Sequence, residues 1–550
     1  MRVLLLCDGG GRLGVGHVIR SLALAETAVA AGHDVVVAGR FEGSFVAGQL
    51  AAAPVEVVQL AAPVAEGDRQ SLIEVVRRVR PDVLHIDSYG APVQIGELVA
   101  PAPGAGLSDT VLSSMEDGSF GRRPADVVID PTFGAELSPR PEDGSAWFLR
   151  GSRYTPVRQR VVDARLRSDD DPVGVVVDDT VGVVVDDTGD DHAAARSVLV
   201  VMGGTDPVGL APAAVELLAL TGLPLDVTVV AVGENADLVV AAALASRLSL
   251  NIVAPVDDLA AIMARADLVI SAAGTSVWEL CCIGVPMALI WAVENQRDGY
   301  ERVVAAGAAL GLGGPELSGS ELGGSEPNEG GVEGAVSLLR TALTDSRARA
   351  DLVRAGRHIV DGLGAWRVVR TWEQVLRLGR SDRPGEQASS KPLAVRPADV
   401  QDARLLWEWR NDPGTRASSR NGDLIQWDQH LAWLETSLAR EDRKLLLVED
   451  EIGPVGTVRW DLEGDGEWEV SITVAPERRG QSLARPLLRA AEVALSDVAA
   501  STRTHVTAYL AVVNVDNGAS LRLFESSAYL PDLPPDPGGF MRFRKAARVA

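Results

Sequence analysis

His17 lies in a glycine-rich segment whose composition suits catalysis on a phosphorylated ligand. The segment, DGGGRLGVGHVIR at positions 8–20, joins an apolar run to a helical stretch. Gly14 and Gly16 allow the backbone to approach a ligand closely, and a helix start offers free N–H groups to an anion. An imidazole held at such a turn can act as a general base near neutral pH. We therefore predict that His17 is catalytic, the alternative being a histidine that packs or caps the turn.

Two charged residues of the same segment are candidates for assisting this histidine. Arg20 follows His17 by three residues, so both side chains lie on one side of the helix and can face a cleft. Asp8 ends the apolar run and could orient His17, although it could equally cap the glycine turn. We expect both to belong to the site, with Asp8 in a catalytic role.

A second turn of small residues occurs in the middle of the chain. The sequence SAAGTSVWE at 271–279 predicts a strand, a tight turn and a helix. Gly274 lets the helix N–H groups reach a pyrophosphate, and the hydroxyls of Thr275 and Ser276 can add hydrogen bonds. Glu279, one turn further on, can accept hydrogen bonds from both hydroxyls of a ribose. The segment predicts a nucleotide site, although an ordinary helix start has a similar composition.

Near the C-terminus, a strand with alternating polarity carries a candidate acid–base residue. In EWEVSITV at 467–474, the aromatic and aliphatic side chains share one face and the polar ones share the other. Glu469 on the polar face can deprotonate an amine, directly or through water. The alternative is a solvated glutamate.

The elements around these residues predict three domains and two linkers. Apolar strands alternate with helices over 1–165 and again over 197–380, which indicates two Rossmann-like lobes built from parallel βαβ units. An acidic linker at 166–196 contains VGVVVDDT twice in tandem, to which we assign no function. The stretch 381–392 is a flexible linker, and 393–550 forms a third α/β domain.

Composition limits the partners. Arg and Lys number 52 against 76 Asp and Glu, a formal net charge of −24 that disfavours nucleic acid and anionic membranes. No apolar run is long enough to span a bilayer, and we expect no membrane insertion. The three cysteines form no metal or disulfide pattern, so we predict a cytoplasmic protein without a metal. The oligomeric state is left open.

The first two lobes resemble the UDP-diacetamido-trideoxyhexose hydrolases of pseudaminic (nonulosonic) acid synthesis. The resemblance rests on Gly-x-Gly-His-x-x-Arg at 14–20 and on Asp87-Ser-Tyr89, the loop at 203–207 and Glu294-Asn295-Gln296. It implies a GT-B fold, hydrolysis at the anomeric carbon with His17 as base, and no metal. The substrate-binding residues it implies are Gly14, Gly16, Arg20, Tyr89, Gly204, Gly274, Thr275, Ser276, Glu279, Asn295 and Gln296. The related lipid II glycosyltransferases have proline at the position of Arg20, which favours the hydrolase.

The third domain resembles the GNAT N-acetyltransferases, which use acetyl-CoA. The resemblance rests on Arg479-Gly480-Gln-Ser-Leu-Ala484, similar to a pyrophosphate-binding loop, and on Asn514 and Asn517 before a helix. Phe524 stands where many members have a tyrosine acid, for which Tyr509 is a candidate substitute. The implied cofactor-binding residues are Val474, Arg479, Gly480, Gln481, Ser482, Leu483, Ala484, Asn514 and Asn517.

The acceptor side of this domain resembles the acetyltransferases of the same pathway over 407–412 and 430–433, which implies that Trp409, Arg410 and Asn411 bind the acceptor. Ribosomal-protein acetyltransferases begin similarly. We therefore predict a bifunctional enzyme that acetylates a UDP-4-amino-4,6-dideoxy sugar and then releases UDP. The alternatives are a UDP-sugar glycosyltransferase with an appended acetyltransferase of other amine specificity, and a nucleotide-sugar sensor without catalysis.

Overall fold

A computed structural model describes residues 1–10, 14–64, 66, 69–91, 110–170, 195–203, 206, 208–231, 234–244, 248–256, 258–318, 331–379, 393–502 and 505–547. The chain divides into two compact units, Met1–Trp372 and Glu373–Ala550. The tandem repeat, the 381–392 linker and Gly204 lie outside the described residues, as does the side chain of Asn295.

The first sheet of the N-terminal unit has seven strands, all parallel. Its strands are β1 (Arg2–Cys7), β2 (Asp34–Gly39), β3 (Glu56–Gln59), β4 (Val83–Asp87), β5 (Val111–Met115), β6 (Val127–Asp130) and β7 (Trp147–Arg150). The helices are α1 (Gly16–Ala30), α2 (Ser44–Ala52), α3 (Arg69–Val79) and α4 (Gln159–Asp170). Strand β1 is apolar and buried from Val3 to Cys7, as expected for a parallel strand covered on both faces.

The second sheet has six parallel strands. They are β8 (Ser197–Val201), β9 (Asp226–Val230), β10 (Ser249–Val253), β11 (Leu268–Ala272), β12 (Met287–Ile290) and β13 (Leu310–Gly313). The helices are α5 (Leu210–Leu220), α6 (Glu234–Ala243), α7 (Leu259–Met263), α8 (Ser276–Ile283), α9 (Arg297–Ala305), α10 (Gly331–Thr344), α11 (Ser346–Ile359) and α12 (Gly364–Leu378). Trp372 of α12 donates a hydrogen bond to Ser113 on β5 (3.0 Å), so this helix returns to the first lobe.

Strand order places both glycine turns where ligands bind in open parallel sheets. The orders are β3-β2-β1-β4-β5-β6-β7 and β10-β9-β8-β11-β12-β13, which reverse between β1 and β4 and between β8 and β11. Ligands bind beyond the carboxyl ends of the strands at such reversals, because the loops there diverge and leave a crevice. The turn with His17 follows β1, and the turn with Gly274 follows β11.

The C-terminal unit contains a mostly antiparallel sheet of order β14-β15-β16-β17-β18-β20-β19. Its strands are β14 (Ala394–Pro397), β15 (Arg443–Asp450), β16 (Gly453–Gly464), β17 (Glu467–Val474), β18 (Ala508–Asn514), β19 (Leu530–Leu533) and β20 (Phe540–Ala546). Its helices are α13 (Ala403–Asn411), α14 (Pro413–Ala417), α15 (Trp427–Leu438), α16 (Ala484–Thr502) and α17 (Gly518–Ser526). Helix α16 packs on Trp468 and Val470, while α13 and α15 pack on Leu445 and Leu447 of the opposite face.

The predicted α/β architecture is confirmed: two Rossmann-like lobes with parallel sheets and a further α/β domain with a mostly antiparallel sheet are present. Strand β17 agrees at both ends, and Trp468 and Val470 on its apolar face are buried.

Candidate functional site

His17 belongs to a buried charge network at the end of β4. Its Nδ1 atom lies 2.7 Å from Oδ1 of Asp87. Arg20 donates to both oxygens of the same carboxylate from Nε and Nη2, each at 2.6 Å. Burial alone would raise the pKa of Asp87, but the charges of Arg20 and His17 hold it well below its usual value. Asp87 therefore stays ionised and can accept a hydrogen bond from a protonated Nδ1 of His17, the tautomer in which Nε2 is the proton acceptor.

Tyr89 and Asp117 complete this network. The Tyr89 ring contacts the His17 ring edge to face, with centroids 4.6 Å apart, and its hydroxyl donates to Asp117. Arg20 also donates to Asp117 at 2.7 Å. Burial alone would lower the pKa of Arg20, but Asp117 and Asp87 outweigh it and raise that pKa well above its usual value. The arginine is therefore a fixed cation that holds two carboxylates near the imidazole.

Asp8 occupies a different position from the one expected of a catalytic partner. Its carboxylate accepts hydrogen bonds from the backbone N–H groups of Arg40 (2.9 Å) and Val64 (2.8 Å), which lie beyond β2 and β3. The carboxylate that contacts His17 is that of Asp87, so Asp8 shapes the surrounding loops instead. Asp87 is the residue of this site that the sequence did not single out as catalytic.

The two glycine turns of the N-terminal unit face each other. A Cβ atom added to Gly16 would lie 3.1 Å from Cγ2 of Thr275. Helices α1 and α8 both begin at this contact, and neither has a side-chain cap. Gly14 has a positive φ of 74°, and a Cβ there would meet no atom within 4 Å. Two uncapped helix starts and open glycine backbone form a crevice suited to a diphosphate.

The second-lobe side of the crevice contains most of the other predicted residues. Ser276 is the first residue of α8, and the Gln296 amide lies beside Gly274, at 3.5 Å from the position of a Cβ. Gln296 accepts a hydrogen bond from the backbone of Ala292 (2.9 Å), which fixes its orientation. Burial raises the pKa of Glu279, and Arg160 and Arg158 oppose that rise. Glu279 is thus a half-buried acceptor near two arginines.

In the C-terminal unit, strands β17 and β18 pair and then separate. Parallel pairing joins Glu467–Val470 to Ala508–Ala511 and stops there, although both strands continue to Val474 and Asn514 in the described residues. The strand edges beyond that point can receive an extended ligand. Glu469 is the next-to-last residue of β17 that pairs with β18, and its Oε1 atom is 3.8 Å from Nη2 of Arg420. Burial raises the pKa of Glu469, and the charge of Arg420 opposes that rise. A raised pKa suits a carboxylate that acts as a base.

The predicted pyrophosphate loop connects β17 to α16. Gly480 and Ser482 both have positive φ, 76° and 58°. Serine in this region costs about 1–2 kcal/mol relative to glycine, in agreement with its replacing a glycine of the resembling loops. Arg479 donates to Asp412 (2.6 Å) and to Thr415 (2.7 Å). The backbone is open to a ligand, but the arginine is paired within the chain.

The remaining residues that were predicted to bind the cofactor lie along the loop and near the separation of β17 from β18. Asn517 caps α17 through the Ser520 N–H (3.1 Å), and Asn514 accepts from the Asp516 N–H (2.9 Å) at the end of β18. Gln481 receives a bond from Arg478. Leu483 packs on the core beside α16, Ala484 begins that helix, and Val474 ends β17.

Tyr509 and Phe524 both belong to the core beneath α16. The Tyr509 hydroxyl lies 2.7 Å from Ser496 Oγ, and burial raises its pKa. Phe524 is buried and contacts Tyr529 edge to face. Since these contacts place Tyr509 under the helix and away from the polar face of β17, it is unsuited to replace the acid.

The three predicted acceptor residues support a loop. Trp409 is 3% exposed and packs in the core between α13 and α15. Arg410 donates to the carbonyl of Asn421 (2.7 Å), and Asn411 makes two bonds with the backbone of Ile425, each 2.9 Å. They hold the chain that brings Arg420 to Glu469.

Within the described ranges, no group of His, Cys, Asp and Glu is arranged to hold a metal, and the three cysteines are buried and free. None of the helices described is both long and apolar enough to cross a membrane.

Two family models match parts of the chain. The glycosyltransferase family 28 C-terminal domain matches residues 198–323, and the acetyltransferase (GNAT) domain matches 393–528. Among curated proteins, the uncharacterised protein MJ1062 of Methanocaldococcus jannaschii is 20% identical over 483 residues, 86% of each chain. The spore coat polysaccharide biosynthesis protein SpsG of Bacillus subtilis is 24% identical over 384 residues, 67% of this chain and 96% of SpsG.

Solved structures are similar to each part at low identity. MurG of Acinetobacter baumannii is 16% identical and covers 68% of this chain and 99% of its own, with a TM-score of 0.45. A spermidine N-acetyltransferase from Vibrio cholerae, in complex with CoA and spermine, is 16% identical. The match covers 28% of this chain and 95% of the acetyltransferase, with a TM-score of 0.26. From the family models, the chain is an enzyme that joins a domain like that of glycosyltransferase family 28 to a GNAT acetyltransferase domain.

Proposed function

We propose that the N-terminal unit cleaves a UDP-sugar at the anomeric carbon with water as the nucleophile. His17 Nε2 takes a proton from water, the water oxygen bonds to the anomeric carbon, and the bond from that carbon to the UDP oxygen breaks. UDP leaves with the bonding electrons, and the starts of α1 and α8 stabilise its charge. Asp87 stabilises the imidazolium that forms, as in other base–carboxylate pairs.

The observation that carries this proposal is the bidentate pair between Arg20 and Asp87, which lies against His17. Position 20 is where the hydrolases have arginine and the resembling glycosyltransferases have proline. Proline has no side chain able to neutralise Asp87, so this network is specific to the hydrolase-like sequence. The similarity to SpsG, whose name places it in polysaccharide biosynthesis, supports a nucleotide-sugar substrate.

We propose that the C-terminal unit transfers the acetyl group of acetyl-CoA to the 4-amine of a UDP-4-amino-4,6-dideoxy sugar. Glu469 takes a proton from the amine, the nitrogen bonds to the acetyl carbon, and the carbon–sulfur bond breaks to release the CoA thiolate. The resulting diacetamido sugar nucleotide is then the hydrolase substrate in pseudaminic acid synthesis. Tethering raises the local concentration of this intermediate.

The match to MJ1062 supports a link between the two reactions. It spans 483 residues, more than the 372 of the first unit, so it extends into the acetyltransferase. The alignment with this one relative therefore covers the first unit and part of the second.

Isotope-labelled water tests the hydrolase directly. The chain is incubated with a UDP-4-amino-4,6-dideoxy sugar and acetyl-CoA in ¹⁸O-labelled water, and the masses of the products are measured by mass spectrometry. We expect the label in the free diacetamido sugar and unlabelled UDP. His17→Asn should abolish UDP release while acetylation continues. Label in UDP would indicate attack at phosphorus and contradict the proposal.

The match to glycosyltransferase family 28 supports one alternative, transfer of the sugar to an acceptor hydroxyl. In that case UDP would appear only when a suitable acceptor is added. UDP release in water alone, at a rate unaffected by candidate acceptors, decides against it. Binding without any turnover would favour a sensor.

A further inference from the structure

Two aromatic side chains continue in a row from the His17 imidazole. The Tyr89 ring contacts the imidazole edge to face, with centroids 4.6 Å apart, and the Phe120 ring is 5.9 Å from that of Tyr89. The three rings follow β1, β4 and β5, which are neighbours in the sheet in that order. Because adjacent strands lie about 4.7–4.9 Å apart, loops at successive strand ends can present rings at such a spacing. The row therefore runs along the carboxyl edge of the first sheet, from the proposed base toward β5.

Phe120 ends a tight turn that follows β5. Its N–H donates to the carbonyl of Asp117 (3.0 Å), and the N–H of Asp117 donates to the carbonyl of Phe120 (3.1 Å). Gly118, the first of the two central residues, has a φ of 60°, a conformation that glycine adopts without strain. We call Asp117–Phe120 the β5 turn.

The centre of the β5 turn is held from two sides. The N–H of Gly118 donates to Oδ1 of the buried Asp130 (3.3 Å), and Nε of Arg122 donates to the carbonyl of Gly118 (2.7 Å). Both backbone groups of the central residue are thus bonded within the lobe. Phe120 therefore projects from a fixed support.

The same turn fixes the ring of Tyr89. Asp117 accepts hydrogen bonds from the Tyr89 hydroxyl and from Arg20, the residue that also binds the carboxylate next to His17. A Cβ atom added to Gly121, just after the turn, would lie 3.2 Å from Cδ1 of Tyr89, so glycine allows this close approach. The two rings and the base are therefore positioned by one network.

The fixed rings are open to solvent. Phe120 is 50% exposed and Tyr89 is 36% exposed. Small-molecule sites are lined mainly by apolar and aromatic groups, with a few polar groups that set the orientation. In the proposed reaction the diphosphate lies at the helix starts near Gly16 and Thr275, and the anomeric carbon lies at His17. The remaining carbons of the sugar must then extend past the base, where the row of rings offers them an apolar surface.

We propose that Phe120 and Tyr89 bind the apolar part of the sugar, the C6 methyl and acetyl methyl groups of a deoxy, N-acetylated hexose. Methyl groups gain free energy when they leave water for an aromatic surface. A hydroxymethyl group at the same place would lose its hydrogen bonds to water, and an aromatic face does not replace them. This inference rests on the proposed cleavage at His17 and adds the basis of its sugar specificity.

Binding without turnover tests the role of Phe120. His17→Asn in the full chain keeps the substrate intact, and calorimetry compares UDP with UDP-2,4-diacetamido-2,4,6-trideoxyhexose. In that background, Phe120→Ala should weaken binding of the UDP-sugar roughly 10-fold and leave binding of UDP unchanged. An equal loss for both ligands, or no loss for the UDP-sugar, would overturn the inference. Because Phe120 is exposed, the variant should fold, and thermal unfolding checks this.

Turnover of a matched pair of substrates tests the specificity. UDP release by the chain with an intact His17 is measured for the 6-deoxy sugar and for the same sugar with a 6-hydroxyl. We expect kcat/KM to favour the deoxy sugar roughly 10- to 100-fold, and Phe120→Ala to bring the ratio close to one. A ratio that Phe120→Ala leaves unchanged contradicts the inference. If neither sugar releases UDP but the binding difference is present, the proposed hydrolysis fails and recognition of the sugar by Phe120 is supported.

Three further variants separate the row from the rest of the lobe. Phe148 on β7 is a second exposed phenylalanine of the same sheet, so Phe148→Ala should change neither binding nor the substrate ratio. Phe120→Tyr keeps the ring and should retain the affinity. Gly121→Ala, whose Cβ would push against Tyr89, should weaken binding of the UDP-sugar and not of UDP. Equal effects of Phe148→Ala and Phe120→Ala would show that the row has no specific role.

Discussion

His17 and Asp87 are 70 positions apart in the chain, yet Nδ1 of one lies 2.7 Å from Oδ1 of the other. Parallel pairing of β1 with β4 produces this contact, because Cys7 lies opposite Asp87 and the turn with His17 follows β1. The sheet thereby fixes the Asp87 carboxylate, and the first turn of α1 fixes the His17 imidazole.

The first prediction concerns this pair. Asp87→Asn should lower kcat for UDP release roughly 100- to 10,000-fold, because the amide can hold the wrong tautomer of His17 and cannot stabilise an imidazolium. The KM for the UDP-sugar should change little, since Asp87 does not face the crevice. Steady-state UDP release measures both. Asp8→Asn is the matched control: a comparable loss of kcat with unchanged folding would return the catalytic role to Asp8.

The second prediction concerns the contact between the glycine turns. Gly16→Ala should raise the KM for the UDP-sugar, because its Cβ would lie 3.1 Å from Cγ2 of Thr275, closer than ordinary contact. Gly48→Ala, within α2 and with no atom within 4 Å of its Cβ, should be neutral or stabilising by up to ~1 kcal/mol.

A double substitution identifies the cause of that effect. Thr275→Ser keeps the hydroxyl and removes Cγ2, so it should restore the KM in the Gly16→Ala background. Additive losses in the double variant would show that the glycine matters for another reason.

The sequence predicts the parts of this site better than their pairing. The glycine turns, His17 and Arg20 are recognisable because helix starts after strands have a characteristic composition. That Asp87, and not Asp8, contacts the imidazole depends on which strand lies beside β1, which is a long-range property. The usual strand order of doubly wound sheets could have indicated Asp87, because it places the ends of the first and fourth strands side by side at the reversal.

The same limit applies to the acetyltransferase. The alternation in β17 places Glu469 on the polar face correctly, but the roles of Trp409 and Tyr509 depend on which helix covers each face. Both side chains turn out to be buried, one between α13 and α15 and the other beneath α16. Aromatic residues fill cores so often that their position in a motif could not show whether they pack in the core or contact a substrate.

The third prediction concerns pH. Burial raises the pKa of Glu469, so acetyl transfer should decline with falling pH at a higher pH than an ordinary glutamate would give. Arg420 and Arg459 lower this pKa, whereas Glu463 and Asp461 raise it. Arg420→Gln should therefore raise the pKa of Glu469 and move the acidic limb of the pH profile of kcat to higher pH. A limb that stays in place in this variant, or that persists in Glu469→Gln, would assign it to another group.

The fourth prediction concerns Arg479. In the predicted role of Arg479, binding of acetyl-CoA would exchange its bonds to Asp412 and Thr415 for bonds to the pyrophosphate. Because an exposed pair contributes about 0.2–1 kcal/mol, Asp412→Asn should tighten acetyl-CoA binding by no more than about fivefold. Calorimetric titration measures this. Glu408→Gln, which removes another exposed ion pair on α13, should have no effect. Weaker binding in Asp412→Asn would mean that Asp412 positions the arginine.

The fifth prediction concerns Tyr509. Tyr509→Phe removes a hydroxyl that bonds to Ser496 and to the carbonyl of Glu492, and should lower the free energy of unfolding by about 1 kcal/mol. The rate of acetyl transfer should be unchanged. Chemical denaturation and a CoA-release assay give the two quantities, and a large fall in kcat alone would make Tyr509 the acid.

The separation of β17 from β18 affects how this site responds to mutation. Where pairing stops, the groups offered to a ligand are main-chain N–H and C=O, which every amino acid except proline carries in full. Substitution scans along Ile472–Val474 should therefore be tolerated for coenzyme binding unless proline is introduced. Much of the proposed coenzyme site would then be invisible to alanine scanning, and its sequence could change without loss of activity.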